Sequence, residues 1–149
     1  MKLRTFLLIL QNYRHTFKHP FMHFQQTEEQ IRLLRHQRRL EDDTGHSYGD
    51  LSLQQTLHKL IVDGNLGHVE KLRKEFKVPE KRFWMLKVNA LAEVGDWGEL
   101  EKMSKVKKPP VSLEVFVDAA LKHGNRTEAM RFVVRVPQEL KVKCLVKCR

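Results

Sequence analysis

Three times along this chain a glycine is followed at once by asparagine or aspartate: Gly64-Asn65, Gly95-Asp96 and Gly124-Asn125. The glycines stand 31 and 29 residues apart. Glycine can enter the left-handed conformation that ends a helix without a Cβ penalty. An Asn or Asp in the next position can accept hydrogen bonds from the first free amides of a following helix. Each pair therefore closes one helical pattern and opens another. A repeat of about 30 residues built this way predicts an all-α fold of stacked antiparallel hairpins, an α-solenoid. Arrays of that kind present extended surfaces to other proteins. The same rhythm predicts a next turn near residues 153 to 155, past Arg149.

The segments between the turns carry the matching periodicity. Ser52, with Gln55 three residues on, predicts a capped helix whose apolar face is Leu53, Leu57, Leu60 and Ile61. Val69, Leu72 and Phe76 line its shorter partner. Pro79 suits the start of a third helix, in which Phe83, Trp84, Leu86, Val88, Ala90, Leu91 and Val94 cover more than one face, as in a helix packed on both sides. Asp96 with Glu99 predicts a second capping box, before Trp97, Leu100 and Met103. After the break at Lys105-Val106-Lys107-Lys108-Pro109-Pro110, Ser112 opens a helix with Leu113, Phe116, Val117, Ala120 and Leu121. Asn125, with Glu128 reciprocating, opens one with Ala129, Phe132, Val133 and Val136. Trp84 and Trp97 fall in these apolar patterns and read as core. Pro137 starts a last helix of lysines, valines and leucines that reads as having no partner within the chain.

Upstream, residues 1–26 form a basic, aromatic segment interrupted by Pro20, an N-terminal helical extension. Thr27-Glu28-Glu29-Gln30 predicts a capped helix start, running to about Glu41, with the solenoid domain taken as 27–149. The run Phe6 to Leu10 is too short for a signal peptide and lacks a small-residue cleavage site. It also falls well below the roughly 20 apolar residues a bilayer span needs. Its bland reading is a helix whose neighbours lie upstream.

The net charge of +10, from 28 basic and 18 acidic residues, admits an acidic protein, an anionic membrane or nucleic acid as partner without choosing among them. No RNA-binding motif or interleaved aromatics accompany Lys102, Lys105, Lys107 and Lys108, so the lysines read as a solvated linker, and no nucleic acid is expected. Cys144 and Cys148 read as reduced thiols: two ligands are too few for a structural zinc site. His15, His19 and His23 share helical spacing, but Pro20 interrupts it and no further ligand completes a metal set. No glycine-rich phosphate loop, nucleophile elbow or catalytic carboxylate pair occurs, so neither an enzyme nor a cofactor is expected.

Several ordered motifs resemble the C-terminal domain of the vacuolar protein sorting-associated protein 16 family. They are Glu29 through Leu40, Glu75-Phe76-Lys77-Val78-Pro79-Glu80-Lys81-Arg82-Phe83-Trp84-Met85-Leu86-Lys87, Ala90 through Asp96-Trp97 to Lys105, Lys108-Pro109-Pro110, Phe116-Val117-Asp118, and Arg135 through Lys143. Together they cover roughly residues 24 to 143, with Pro-x-Lys-Arg-aromatic-Trp as the most specific part. A related branch, the partner of a second SM-type protein in animals, shares the Pro-x-Lys element but lacks the match from Trp97 to Lys105. The chain departs from the family at Met85, usually a second aromatic, and in the tail 144–149, where the family continues with Gly-Asp and another hairpin. Residues 1 to 23 carry no motif, and the family's β-propeller and upstream solenoid have no counterpart, so the chain reads as a fragment, a splice form or a truncated copy, with the divergent tail marking the loss of the domain's last hairpins.

The resemblance implies a non-enzymatic core subunit of the endolysosomal tethering complexes HOPS and CORVET. It implies docking of the SM-type regulator vacuolar protein sorting-associated protein 33 beside the other class C core subunits, with SNAREs engaged indirectly. It places the protein in the cytoplasm, peripheral on late endosomes, lysosomes or the vacuole. Arg82 and Lys81, beside the large side chains Phe83 and Trp84, are the foremost candidates for that docking, since Arg and Trp are over-represented among interface hot spots. The alternative pairs Arg82 with Glu80 or Asp96. Arg32, Arg35 and Arg39 form a basic helical stripe, read either as a solvated face or as a second docking element.

Overall fold

The structure is a computed structural model that describes the backbone of residues 20–149 and the side chains of residues 26–149. The expectations for residues 1–19, His15 and His19 among them, lie outside the described residues, as does the side chain of His23. All regular structure among the described residues is helical: α1 Pro20–Thr44, α2 Leu53–Val62, α3 Leu66–Glu75, α4 Glu80–Val94, α5 Trp97–Ser104, α6 Leu113–Lys122, α7 Arg126–Arg135 and α8 Gln138–Lys147. The chain divides into two compact units at Asp50 and Leu51.

In the first unit, α1 begins at Pro20 rather than at Thr27 and passes through the Thr27 motif without a break. Proline is well placed at a helix start, where its missing N–H is not needed, and no breaker separates it from Thr27. The far end also runs past Glu41, to Thr44. There Gly45 turns left-handed at φ 72° and its amide reaches the Glu41 carbonyl at 2.9 Å. The Glu41 side chain organises the following loop: its Oε1 accepts from the amides of Tyr48 and Gly49, each at 2.7 Å. Those two amides, with the Ser47 hydroxyl, hold the Glu41 carboxyl below its ordinary pKa.

In the second unit, α2 and α3, α4 and α5, and α6 and α7 pack as hairpins. The first helices also touch in succession, α2 on α4 and α4 on α6, a contact pattern compatible with an α-solenoid. The three glycine turns share one geometry. Gly64, Gly95 and Gly124 take φ of 78°, 76° and 73°. The next amides, of Asn65, Asp96 and Asn125, return to the carbonyls of Leu60, Leu91 and Ala120 at 2.8, 2.9 and 2.9 Å, the bond of a Schellman C-terminus.

The caps that follow are less uniform than the sequence suggests. Asp96 and Asn125 accept from the amides of Glu99 and Glu128, each at 3.1 Å, but Asn65 makes no side-chain cap. Only Ser52 with Gln55 completes a reciprocal capping box among these helices. Glu99 and Glu128 turn instead toward the basic residues Lys102 and Arg131.

The core of this unit runs along the first helices: Leu57, Leu60 and Ile61, then Phe83, Val88 and Leu91, then Phe116 and Val117. Phe116 meets Phe132 of α7 with ring centroids 5.5 Å apart. Burying side chains of this size stabilises the fold by about 1.5–3 kcal/mol each. Trp84 and Trp97 are only half-buried, so neither is the core anchor the apolar pattern predicts.

The last helix is not unpartnered. Helix α8 packs on α6 and α7, with Cys144 fully buried. Lys143 and Lys147 both reach Glu114 at 2.8 Å, and Lys147 also reaches Asp118 at 2.7 Å. The alternation of lysines with valines concealed this, because the acids that receive the lysines belong to α6.

Candidate protein-docking surface

The start of α4 is fixed by backbone and packing rather than by a capping side chain. Pro79 stands at the N-cap with φ −56° and ψ 138°, and its carbonyl accepts the Phe83 amide at 3.0 Å. Phe83 is 4% exposed, and the Arg73 guanidinium of α3 lies 4.4 Å from its ring centroid. A cation over an aromatic face at that distance is attractive. It also holds the end of α3 against the beginning of α4.

With Phe83 pinned inward, Lys81 and Arg82 face solvent. Arg82 makes no hydrogen bond or ion pair with any described residue. The local pairing of Arg82 with Glu80 or Asp96 that the sequence left open does not form. Four residues beyond Lys81 and three beyond Arg82 lies Met85, 43% exposed. Residues at these spacings are neighbours on a helix surface, so Lys81, Arg82 and Met85 form one ridge, flanked by half-buried Trp84. Met85 was missed as a candidate. The signal that could have found it is its spacing from the two basic residues together with its standing at a position where the resembling family prefers an aromatic.

Arg32, Arg35 and Arg39 lie on α1, in the first unit, and are exposed. Gln37 and Leu40 turn to the buried side of the same helix. Arg32 and Arg35 line a shallow depression with Glu28, Glu29 and Ile31, so the upper part of this stripe is mixed in charge. Lys81 and Arg82 belong to the second unit, so each group is described within its own unit.

Chemically, these surfaces offer exposed cations and a polarizable apolar side chain, which suit recognition of an acidic, partly apolar protein face. Among the described residues, no three His, Cys, Asp or Glu side chains converge as metal ligands, and no helix is long and apolar enough to cross a membrane.

The sequence model of the family described as Vps16, C-terminal region matches residues 2–149. That match takes in residues 2–23 and the tail 144–149, which carry none of the recognised motifs. A vacuolar protein sorting-associated protein 16 homolog of Dictyostelium discoideum is 38% identical over 110 residues, 73% of this chain and 13% of that protein. One of Drosophila melanogaster is 38% identical over 104 residues, 70% of this chain and 12% of the relative. The protein VACUOLELESS1 of Arabidopsis thaliana is 36% identical over 130 residues, 87% of this chain and 15% of the relative. The chain thus spans well under a fifth of the length of these relatives, and it belongs to the family of the Vps16 C-terminal region.

Proposed function

We propose that this chain is a non-enzymatic docking module of the endolysosomal tethering complexes HOPS and CORVET. It binds the SM-type regulator vacuolar protein sorting-associated protein 33, and through it supports SNARE assembly in transport to the lysosome or vacuole. The other class C core subunits are its further partners. It acts peripherally on the cytoplasmic side of late endosomal, lysosomal or vacuolar membranes. Family membership supports the setting. The observation that carries the docking role is Arg82, exposed and without a hydrogen-bond or ion-pair partner among the described residues, on a helix start that Phe83 and Arg73 hold in place. Lys81 and Met85 extend the same ridge, and Arg32, Arg35 and Arg39 supply a second contact stripe on α1. A preorganised, desolvatable Arg beside an apolar neighbour is the residue arrangement from which interface hot spots are drawn.

Arg82→Glu tests this. Co-purification with the SM-type protein should be lost while the helical circular dichroism signal stays unchanged, because Arg82 is exposed and makes no hydrogen bond or ion pair with a described residue. Unchanged affinity of the variant would show that the ridge is not the docking element.

A further inference from the structure

The hairpin topology sorts the connections of the second unit onto two edges. The glycine turns lie within hairpins, and the links from one hairpin to the next emerge at the other edge. Arg135, at the end of α7, reaches Ser104 Oγ at 2.8 Å and Glu101 Oε1 at 3.1 Å near the end of α5, which ties successive linking corners together. Basic residues collect on this edge. Lys74, Lys77, Lys81 and Arg82 stand at the α3–α4 corner, with Glu75 and Glu80 among them. Lys105, Lys107 and Lys108 stand in the α5–α6 loop, which contains no acid. Lys105 is paired with Glu101, whereas Lys77, Lys107 and Lys108 are exposed and make no ion pair with a described residue.

Two features of these corners serve the fold poorly. Lys77 and Lys108 take φ of 48° and 57°, where an L side chain is strained and glycine is the ordinary choice. In the α5–α6 loop, Val111 is 3% exposed and anchors the far leg, while Val106 is 46% exposed between Lys105 and Lys107. Val106 thus leaves a branched apolar side chain half in water between the paired Lys105 and the free Lys107, where it contributes nothing to the core.

We propose that this edge is a membrane-contact surface, with Lys77, Lys107 and Lys108 meeting the anionic headgroups of a phospholipid bilayer and Val106 entering the headgroup layer between them. Lysine is a compact, strongly hydrated point charge without the fork geometry that fixes a carboxylate. A set of such charges on flexible stems fits a surface of many mobile phosphates better than the fixed carboxylates of one acidic protein. The exposed valine adds the apolar component that stable interfacial binding uses. The inference is independent of the docking role of Arg82.

Flotation of the full chain with phosphatidylcholine vesicles, with and without about 30% phosphatidylserine, tests it. Binding should need the anionic lipid and weaken as salt rises. An anionic surface gives roughly fivefold per basic side chain, so losing two lysines costs about 30-fold and the charge reversal K107E/K108E should weaken binding by at least that much, and Lys77→Glu, at the other corner, should also lose binding. Val106→Ser should lose about threefold on vesicles and nothing on a short single-stranded RNA. All these side chains are exposed, so an unchanged helical signal is expected throughout, and capture of the SM-type protein should be unaffected in K107E/K108E. The proposal is overturned if both lysine variants bind anionic vesicles like the parent. It is also overturned if neutral vesicles bind equally, or if Val106→Ser is silent on vesicles while RNA binding falls with the lysines, which would mark a plain polyanion site.

Discussion

The two edges of the second unit solve the same backbone problem with different residues. At the glycine edge, three Schellman turns use Gly64, Gly95 and Gly124 in the left-handed region. At the opposite edge α3 ends in the same hydrogen bond, Val78 N–H to the Arg73 carbonyl at 3.0 Å, but the left-handed residue is Lys77. The first edge is built for stability. The second gives up some stability and displays charge. Where a chain places a costly residue at a position a cheap one fills elsewhere in the same fold, the side chain itself is what the position holds.

The comparison can be broken most strongly at the glycines. Gly95→Ala should cost about 1–2 kcal/mol from its left-handed backbone. A Cβ there would meet only the Trp97 indole nitrogen at 3.7 Å, an ordinary contact, so the loss in a thermal melt should be conformational and similar at Gly64 and Gly124. The caps come next. Asp96→Ala and Asn125→Ala should each cost about 1 kcal/mol, whereas Asn65→Ala, which removes no side-chain cap, should be close to neutral. Equal losses at all three would mean that the caps are not what distinguishes these turns.

At the other edge the sign reverses. Lys77→Gly should raise stability by about 0.5 kcal/mol, the relief of the left-handed strain less the added freedom of the unfolded chain. A loss on that substitution would show that Lys77 is held by contacts rather than tolerated.

The smallest effect lies away from both edges, at α8. Lys143 and Lys147 hold the Glu114 carboxyl at a pKa of about 2, below its ordinary 4.5. A depressed folded-state value means that this contribution is complete above the unfolded pKa and is lost as pH falls from about 4.5 toward 2. Amide exchange in α8 should therefore quicken over that window before the rest of the unit responds, and Glu114→Gln should remove the pH dependence.

Much of this fold could be read in the sequence, because glycine followed by Asn or Asp states a backbone conformation directly. The turns at 64, 95 and 124 are legible for that reason. The fourth Schellman turn is not, since lysine carries no left-handed signal. Pro20 reads as a breaker but stands at the first position of the described helix, where its missing N–H is not needed. The partner of α8 is invisible locally, because Lys147 meets Glu114 and Asp118 from 33 and 29 residues away. In the proposed docking surface Arg82 and Lys81 are candidates that the motif supplies, and Met85 joins them only from its exposure in the structure. An apolar helical residue reads as core until its neighbour Phe83 is seen to take the inward position.

The burial of Cys144 and Cys148, 0% and 4% exposed, makes the end of the chain its own reporter. Burial also pushes the Cys144 thiol pKa up, which keeps it unreactive while α8 is seated. A thiol reagent can reach it only in the moments when α8 lifts from α6 and α7. Under fast reclosing, the labelling rate measures the population of that opened form; under slow reclosing, it measures the opening rate. The two native cysteines thus allow the seating of the terminal helix to be timed in the unmodified protein, with and without a bound partner, and without adding a probe.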